Sequence, residues 1–478
     1  MSRSIPKYNF RPALSRMIRE NPWIVYIAVQ ILRICPPVLG FVRRTLFYSD
    51  KEASFPFSIL PTFQVGVKLP GDHSRRTIFV DVSATTRHDQ KTGMHRVTRE
   101  LLRHWFHNPP AGWRISPVYT DGVKFYNFLQ LNNVRPDGSV VIATKRHEEI
   151  APGPSDIMVL LDLDVYLIRE MERPLEEIRN RGTIVYALVH DLIPIFYPDF
   201  APDLFSRNFK LWFDVILRQA DGIITGARTI TEEIRHWADT HPPHRVRPLR
   251  MGFSHHGADI KVAVEESNLD DTVKVAEILG GRPSVLMVST LEPRKGYAQA
   301  VLAFEALWAL GVDVNLVIVG KTGWKVEALI DRLTSHPENG RRLFWFQYAN
   351  DSFLSALYCA CSVLLSASES EGFGLPLVEA AQRGLPIIAR DIPVFREVAG
   401  NHAYYFSGLT GEALAGALQE WLSLWKRNLA PRSDGLNWIT WEQSAANFMR
   451  LILDKNASGW LPDWAPPAGI SSSYIEGS

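Results

Sequence analysis

Short apolar runs alternate with amphipathic segments from Arg76 to about residue 454. In the first half, the apolar runs predict strands at 77–82, 115–119, 139–143, 156–162, 183–189 and 221–225. Helical periodicity between them predicts helices at 93–106, 166–180, 202–219 and 228–237. Strands that alternate with helices in this way predict an α/β fold with a doubly wound parallel sheet.

The second half repeats the pattern more clearly. Its apolar runs predict strands at 284–289, 314–320, 342–347, 363–367 and 386–390. Its periodic segments predict helices at 297–310, 324–335, 352–361, 411–426 and 441–454. A chain of 478 residues is long enough for two domains of about 200 residues each. We therefore expect two Rossmann-like domains.

Changes in composition divide the chain into six predicted segments. They are a basic apolar extension (1–75), a first Rossmann-like domain (76–252), a polar and acidic linker (253–280), a second Rossmann-like domain (281–438), a C-terminal helix (439–455) and a flexible tail rich in Pro and Ser (456–478).

Composition excludes some classes of protein. Apolar residues make up 46% of the chain and charged residues 22%, which is typical of a globular protein and argues against extensive disorder. The net charge of +1 argues against nucleic-acid binding, which requires an excess of Lys and Arg. The spacing of Cys35, Cys359 and Cys361 fits no metal site and predicts buried free thiols in a reducing cytoplasm.

The first fifty residues differ from the rest because eight basic residues stand against two acidic ones, among apolar stretches. Arg33, Pro36 and Pro37 interrupt the apolar stretch, and the chain has no uncharged apolar run of 18 residues and no cleavable signal. Two interpretations remain open for this segment. It either lies on an anionic membrane surface or forms a helical extension that packs on the domain or on a partner subunit.

The most informative candidate chemistry lies between residues 366 and 391. Glycines at 372 and 374 allow a ligand to approach the backbone, and the N–H groups of the following helix can bind an anionic pyrophosphate. Glu371 precedes this helix and can accept hydrogen bonds from sugar hydroxyls, while Glu379, one turn inside, can accept them from a ribose. The alternative is a pair of solvated helix charges.

Two further candidates follow predicted strands, where open α/β sheets bind ligands. Lys295 follows the first strand of the second half, and a cation there would face the pyrophosphate, unless it is a solvated residue at a helix start. His190 follows an apolar run and is predicted to lie in the site, with Asp191 orienting it, although a core or capping histidine is the alternative.

Three weaker candidates complete the set. Gly93 at the junction of the first strand and helix permits close backbone approach, unless fold packing alone accounts for it, and Arg96 behind it is interpreted as solvated. Tyr348 ends a predicted strand and either borders the site or covers the edge of the core. Asp162 and Asp164 superficially resemble a metal-binding Asp-X-Asp, but their position favours a structural role.

Residues 363–390 and Glu292-Pro293-Arg294-Lys295-Gly296 together resemble the donor-site signature of retaining GT-B glycosyltransferases of family 4, also called group 1. The resemblance spans 77–454 and implies two Rossmann-like domains that face each other across a cleft. It assigns Lys295 to the donor diphosphate, with Arg294 either assisting or pairing structurally. Ser289 stands where many relatives have an arginine, so a second cation for the diphosphate is unassigned.

The resemblance also implies the remaining roles. His190, Lys295 and Glu371 form the catalytic set, with His190 close to the transferred sugar. The donor-binding set is completed by residues that touch the base, the diphosphate or the ribose: Gly93, Ser289, Arg294, Tyr348, Gly372, Phe373, Gly374, Leu375 and Glu379. No metal or other cofactor is expected, because Lys and helix N-termini hold the diphosphate.

The implied reaction moves a hexose from a nucleotide diphosphate sugar to a hydroxyl with retention of configuration. The sequences at 190–194 and 290–295 look most like those of bacterial mannosyl- and rhamnosyltransferases of surface polysaccharide assembly. The expected donor is GDP-mannose, and the expected acceptor is a glycan or polyprenyl-linked glycan at the inner face of the cytoplasmic membrane. The alternatives are a nucleotide-sugar 2-epimerase on the same fold and a non-catalytic membrane-attached partner.

Overall fold

The computed structural model describes residues 76–87, 92–121, 124–127, 148–165, 168–245, 247–259 and 269–465. The basic extension at 1–75 and the predicted strand at 139–143 lie outside the described residues. Within the described part of the chain, no helix is both long and apolar enough to cross a membrane.

The first half is built on a seven-stranded sheet. Its strands are β1 (Arg76–Asp81), β2 (Trp113–Thr120), β3 (Phe125–Asn127), β4 (Ile157–Leu160), β5 (Ile184–Leu188), β6 (Gly222–Thr225) and β7 (Arg250–Phe253). They lie in the order β3-β2-β1-β4-β5-β6-β7, and all pairs are parallel except β2 and β3. The four residues of β4 and of β6 are all buried, as expected for strands that are covered on both faces.

Helices cover this sheet. They are α1 (Ser83–Arg87), α2 (Gly93–His107), α3 (Ile168–Asn180), α4 (Ile193–Phe196), α5 (Asp203–Gln219) and α6 (Arg228–Thr240). In α2, Val97, Leu101 and Trp105 are buried at intervals of four residues, so one face of the helix packs on the sheet. That packing fixes the direction of Gly93 and Arg96 near the start of α2.

The second half is built on a six-stranded parallel sheet. Its strands are β8 (Ser284–Val288), β9 (Asn315–Val319), β10 (Leu343–Phe346), β11 (Val363–Ser366), β12 (Ile387–Arg390) and β13 (Tyr404–Phe406). Their order is β10-β9-β8-β11-β12-β13. Counted from the start of each half, the second sheet has the strand order 3-2-1-4-5-6 of doubly wound folds, and the first sheet has the same order with a seventh strand added at one edge, which confirms the predicted α/β class.

The helices that follow the first half are α7 (Leu269–Leu279), α8 (Tyr297–Ala309), α9 (Glu327–Ser335), α10 (Asp351–Ala360), α11 (Leu375–Gln382), α12 (Pro393–Ala399), α13 (Gly411–Lys426) and α14 (Trp441–Leu453). Helix α7 lies within the segment that was expected to be a linker. Helix α14 packs against α2 of the first half, where the Trp105 indole N–H donates to the Ala445 carbonyl at 2.9 Å.

Two local expectations are wrong. Residues after Asn456 were expected to be flexible, but Trp464 is buried and its backbone N–H and carbonyl both bond to Leu249 of the first sheet. Cys361 is buried as expected, and burial raises the pKa of its thiol to about 12, but Cys359 is exposed. Cys359 lies near the end of α10, where Leu357 and Tyr358 are the buried residues, and the apolar run alone did not reveal this difference.

Candidate active site

The sheet orders place one crevice at the carboxyl ends of β8 and β11. These strands are neighbours, and the chain leaves them in opposite directions along the sheet, toward β9 and β12. Ligands of doubly wound folds bind at such a switch point. Lys295 lies in the turn after β8 and Glu371 in the loop after β11, so the fold brings the two residues together as the sequence predicted.

An ionic cluster fills the base of this crevice. Lys295 Nζ donates to Glu371 Oε1, and the guanidinium of Arg294 lies 3.1 Å from Glu371 Oε2. Ser368 Oγ also donates to Oε1, at 2.8 Å. Arg294 further binds Glu292 at 3.1 Å and the Ser370 carbonyl at 2.9 Å. Arg294 therefore holds the loop that carries Glu371.

The cluster keeps its charges. Burial alone would raise the pKa of Glu371, but the charges of Lys295 and Arg294 outweigh burial and lower the pKa to about 2. Burial and the neighbouring Arg294 lower the pKa of Lys295, while Glu371 opposes that shift. Glu371 is therefore a carboxylate at neutral pH, and it faces two cations.

The glycines shape the turn before α11. Gly374 is the N-cap of α11 at φ 98°, and a Cβ there would lie 2.8 Å from the Phe395 ring. A Cβ on Gly372 would lie 2.4 Å from the carbonyl oxygen of His190, in the first half. The glycines therefore let the first half and the Phe395 ring approach the start of α11 closely.

A pocket with about 280 Å³ of empty space, part of it open to solvent, lies beside this turn. Four predicted site residues line it: Ser289, Lys295, Glu371 and Gly374. The hydroxyl groups of Ser289 and Tyr297 bond to each other at 2.8 Å, and the Tyr297 hydroxyl also donates to the Ser289 carbonyl. Ser289 thus supplies a polar edge to the pocket without a charge.

The first half contributes His190 and Gly93. His190 follows β5, and burial together with nearby His95 lowers the pKa of its ring to about 4, so the ring is neutral at pH 7. Gly93 begins α2, and a Cβ built on it would lie 3.6 Å from the side chain of Leu375. The two halves therefore meet at the start of α11.

Phe373 anchors this contact from the second half. It is buried, and its ring centroid lies 5.1 Å from that of His256 and 5.5 Å from that of His255. Both histidines follow β7 in the first half. The sequence assigned Phe373 to the donor site but gave no sign of these partners, which lie more than a hundred residues away.

The expectation that Arg96 is solvated was wrong, because this residue pairs with Glu379. Arg96 was interpreted as solvated, but its guanidinium binds Glu379 Oε1 across the two halves. The hydroxyl of Tyr358 donates to Oε2 at 2.7 Å. Glu379 is only 3% exposed, and its charge outweighs burial and raises the pKa of Arg96. Both carboxylate oxygens that were predicted to hold a ribose thus have protein partners.

Two other candidates lie differently from the simplest expectation. Asp191 accepts a hydrogen bond from the Ile193 N–H at 3.0 Å and so supports the start of α4, whereas the sequence suggested that it orients His190. Tyr348 follows β10, is 86% exposed and does not line the pocket beside Lys295. A main-chain contact of Tyr348 with a nucleotide base stays a prediction.

Asp162 has a structural environment. Its carboxylate accepts hydrogen bonds from the backbone N–H groups of Thr85 and Leu163, and burial raises its pKa. Among the residues that the structure describes, no group of three or more His, Cys, Asp or Glu is placed to hold a metal ion. The expectation that no metal is required stays a prediction.

Two doubly wound halves with a charged crevice between them define the class: the chain has the GT-B fold of glycosyltransferases. Residues 270–437 match the family model described as glycosyl transferases group 1, and this range contains Lys295, Glu371 and Glu379. Residues 270–437 therefore form a domain of the glycosyl transferases group 1 family.

Several of the curated relatives are named as mannosyltransferases. The chain is 37% identical over 378 residues to the serotype-specific mannosyltransferase WbdA of Escherichia coli, which covers 78% of this chain and 44% of WbdA. It is 31% identical over 120 residues to the O-antigen chain mannosyltransferase B of Escherichia coli, covering 24% of this chain and 30% of that protein. The chain thus spans just under half the length of the WbdA proteins that it matches.

Solved structures agree in fold. A sucrose-phosphate synthase from Thermosynechococcus elongatus superposes with a TM-score of 0.52 at 16% identity, over 79% of this chain and 98% of that one. Anabaena HepE in complex with UDP and glucose superposes with a TM-score of 0.53 at 13% identity, over 80% of this chain and 100% of that one. At this identity the likeness establishes the fold alone.

Proposed function

We propose that this chain is a retaining glycosyltransferase that moves mannose from GDP-mannose to a hydroxyl of a glycan or polyprenyl-linked glycan in bacterial polysaccharide assembly. The observation that carries the proposal is the meeting of Lys295, Glu371 and the start of α11 in one crevice, with the backbone carbonyl of His190 against Gly372. The similarity to mannosyltransferases supports the choice of sugar.

The crevice offers two means of holding a diphosphate. Lys295 lines the pocket, and the positive end of the α11 dipole begins beside it at Leu375, although Pro376 has no N–H and the Leu377 N–H bonds to the Gly374 carbonyl. When a donor binds, its diphosphate competes with Glu371 for Lys295, and the sugar hydroxyls replace Lys295 on Glu371. Charge that develops on the leaving diphosphate then meets a preorganised cation and dipole, which is usually the largest catalytic contribution.

His190 acts as a neutral hydrogen-bonding partner of the sugar in this proposal. A ring with a pKa of about 4 carries no charge at pH 7, so it contacts the sugar without repelling the oxocarbenium charge of the transition state. Retention follows if the acceptor hydroxyl attacks on the face from which the diphosphate departs. An oxygen of the β-phosphate then takes the acceptor proton.

The decisive experiment incubates the chain with GDP-mannose, UDP-glucose or UDP-N-acetylglucosamine and a polyprenyl diphosphate-linked oligosaccharide. We expect GDP release from GDP-mannose, faster with the acceptor and unchanged by EDTA, and an α-mannoside in the NMR spectrum of the product. Lys295→Ala serves as the inactive control. A β-mannoside would contradict retention, a changed nucleotide sugar would indicate the epimerase, and turnover of none of the three donors would contradict the proposal.

We further propose that the basic segment 1–75 holds the protein at an anionic membrane. Its excess of Arg and Lys over acidic residues in the first fifty positions supports this. The chain should sediment with vesicles that contain phosphatidylglycerol and stay in the supernatant with neutral vesicles. Replacing Arg43 and Arg44 by Gln should reduce this sedimentation, and an unchanged bound fraction would argue for packing on protein instead.

A further inference from the structure

The long side chain of Arg96, in α2, reaches the buried carboxylate of Glu379. It binds Glu379 Oε1, is 27% exposed at its side chain, and its guanidinium lies 5.8 Å from the Trp441 ring. The pair joins residues 283 positions apart, one from each half. From the sequence, however, Glu379 is the carboxylate expected to receive the ribose of the donor.

The crevice is short of cations for a diphosphate. Ser289 stands where a positive side chain was expected, and its hydroxyl bonds to Tyr297. Arg294 is held by Glu292, Glu371 and the Ser370 carbonyl, and it does not line the pocket. Lys295 is then the one cation that lines the pocket in this half, against a diphosphate with about two negative charges.

We infer that Arg96 supplies the second cation, by exchanging Glu379 for the donor diphosphate. This inference rests on the proposed function. The ribose hydroxyls replace the guanidinium on Glu379, and the released guanidinium binds the diphosphate at the start of α11. No covalent bond changes in this exchange, and the number of charged pairs is conserved.

The distances permit the exchange. Glu379 lies four residues after Leu375, the first residue of α11, which corresponds to about 6 Å along the helix. Gly93, one turn before Arg96, already approaches Leu375. An arginine side chain with four rotatable bonds covers such a distance by changing rotamers, while the backbone of α2 stays packed on its sheet.

The exchange also has an electrostatic reason. Ribose hydroxyls are neutral donors, so without compensation they would replace a charged partner of a buried carboxylate by a weaker one. The diphosphate compensates, because it offers the guanidinium a bidentate partner of higher charge. A nucleoside without phosphates must break the Arg96–Glu379 pair without this compensation. Arg96 therefore selects for the diphosphate over the bare nucleoside.

The test compares binding of GDP and guanosine to the wild-type protein and to Arg96→Met by isothermal titration calorimetry. For GDP we expect a dissociation constant at least about tenfold higher in the variant, which corresponds to loss of one charge-assisted hydrogen bond. For guanosine we expect an unchanged or lower dissociation constant. The dissociation constant for guanosine divided by that for GDP should therefore fall about tenfold or more.

Two variants make the result specific. Arg103→Met removes a guanidinium two turns further along the same helix, where it pairs with Glu100, and should leave both constants unchanged. Arg96→Lys keeps the charge but loses the bidentate fork, and should restore part of the GDP affinity. It also provides a folded variant if Arg96→Met melts at a much lower temperature.

A purely structural role of Arg96 gives a different result. Both constants would then change by the same factor, or neither would change, and either outcome would overturn the inference. The same comparison is made with UDP and uridine. Failure of the wild-type protein to bind GDP and UDP would instead refute the nucleotide-sugar site itself, which separates the two claims.

Discussion

Replacing Glu371 by glutamine should lower the free energy of unfolding by about 3 kcal/mol at pH 7. The folded carboxyl has a pKa of about 2, against an ordinary value of 4.5, because Lys295 and Arg294 outweigh burial. That difference favours the folded state by about 3 kcal/mol whenever the unfolded chain is also ionised. Glutamine has the shape of the neutral acid and cannot supply this contribution.

The pH dependence identifies the cause. A lowered carboxyl pKa stabilises the folded state fully above pH 4.5, and this contribution is lost as the pH falls through about 2. The gap between wild type and Glu371→Gln should therefore shrink to about half by pH 3. Urea unfolding followed by tryptophan fluorescence at pH 7 and pH 3 measures the gap.

A control substitution separates the effect of removing the buried Glu371 carboxylate from the effect of removing a carboxylate on the surface. Glu177 pairs with Arg173 on the surface of α3 and is half exposed, so Glu177→Gln should stay within about 0.5 kcal/mol of wild type. Equal stability of Glu371→Gln and wild type at pH 7 would refute the ion cluster. A gap that stays constant between pH 7 and pH 3 would refute its electrostatic origin.

Two further substitutions test the crevice. Lys295→Ala should lower kcat by about 10²- to 10³-fold in a GDP-release assay, since a preorganised partner of the leaving group is lost, and a rate near wild type would remove Lys295 from the site. Gly372→Ala should also lower turnover strongly, because its Cβ would lie 2.4 Å from the His190 carbonyl. The control Gly416→Ala in α13, which has open space around it, should keep full activity. Equal rates in the two variants would show that the two halves need not meet at Gly372.

The second sheet was predictable because each of its long strands is a continuous apolar run. Strand β8 was predicted at 284–289 and is found at Ser284–Val288, and β11 was predicted at 363–367 and is found at Val363–Ser366. Strand β13 and helix α12 were missed, since three and seven residues are too short to establish a period. The antiparallel β3 was missed for the same reason.

The clustering of Lys295, Glu371 and Gly374 was predictable from the sequence. Each lies in the loop or turn that follows a strand, and the ends of strands in one parallel sheet meet at one edge. Arg96, Tyr358 and the histidines around Phe373 carry no such signal. Their role depends on how α2 is oriented toward α11, and a single sequence contains no record of contacts between residues 283 positions apart.

The paired state of both glutamates explains how such a site avoids an unsatisfied charge before the donor arrives. A buried carboxylate without a partner is costly, so Glu371 holds Lys295 and Glu379 holds Arg96. In the proposed mechanism, donor binding opens both pairs and frees two cations for the diphosphate and two carboxylates for the hydroxyls of the sugar and the ribose. A free sugar cannot bind the two cations, and a bare diphosphate cannot bind the two carboxylates. The intact donor should therefore bind more tightly than the separate affinities of its parts would suggest.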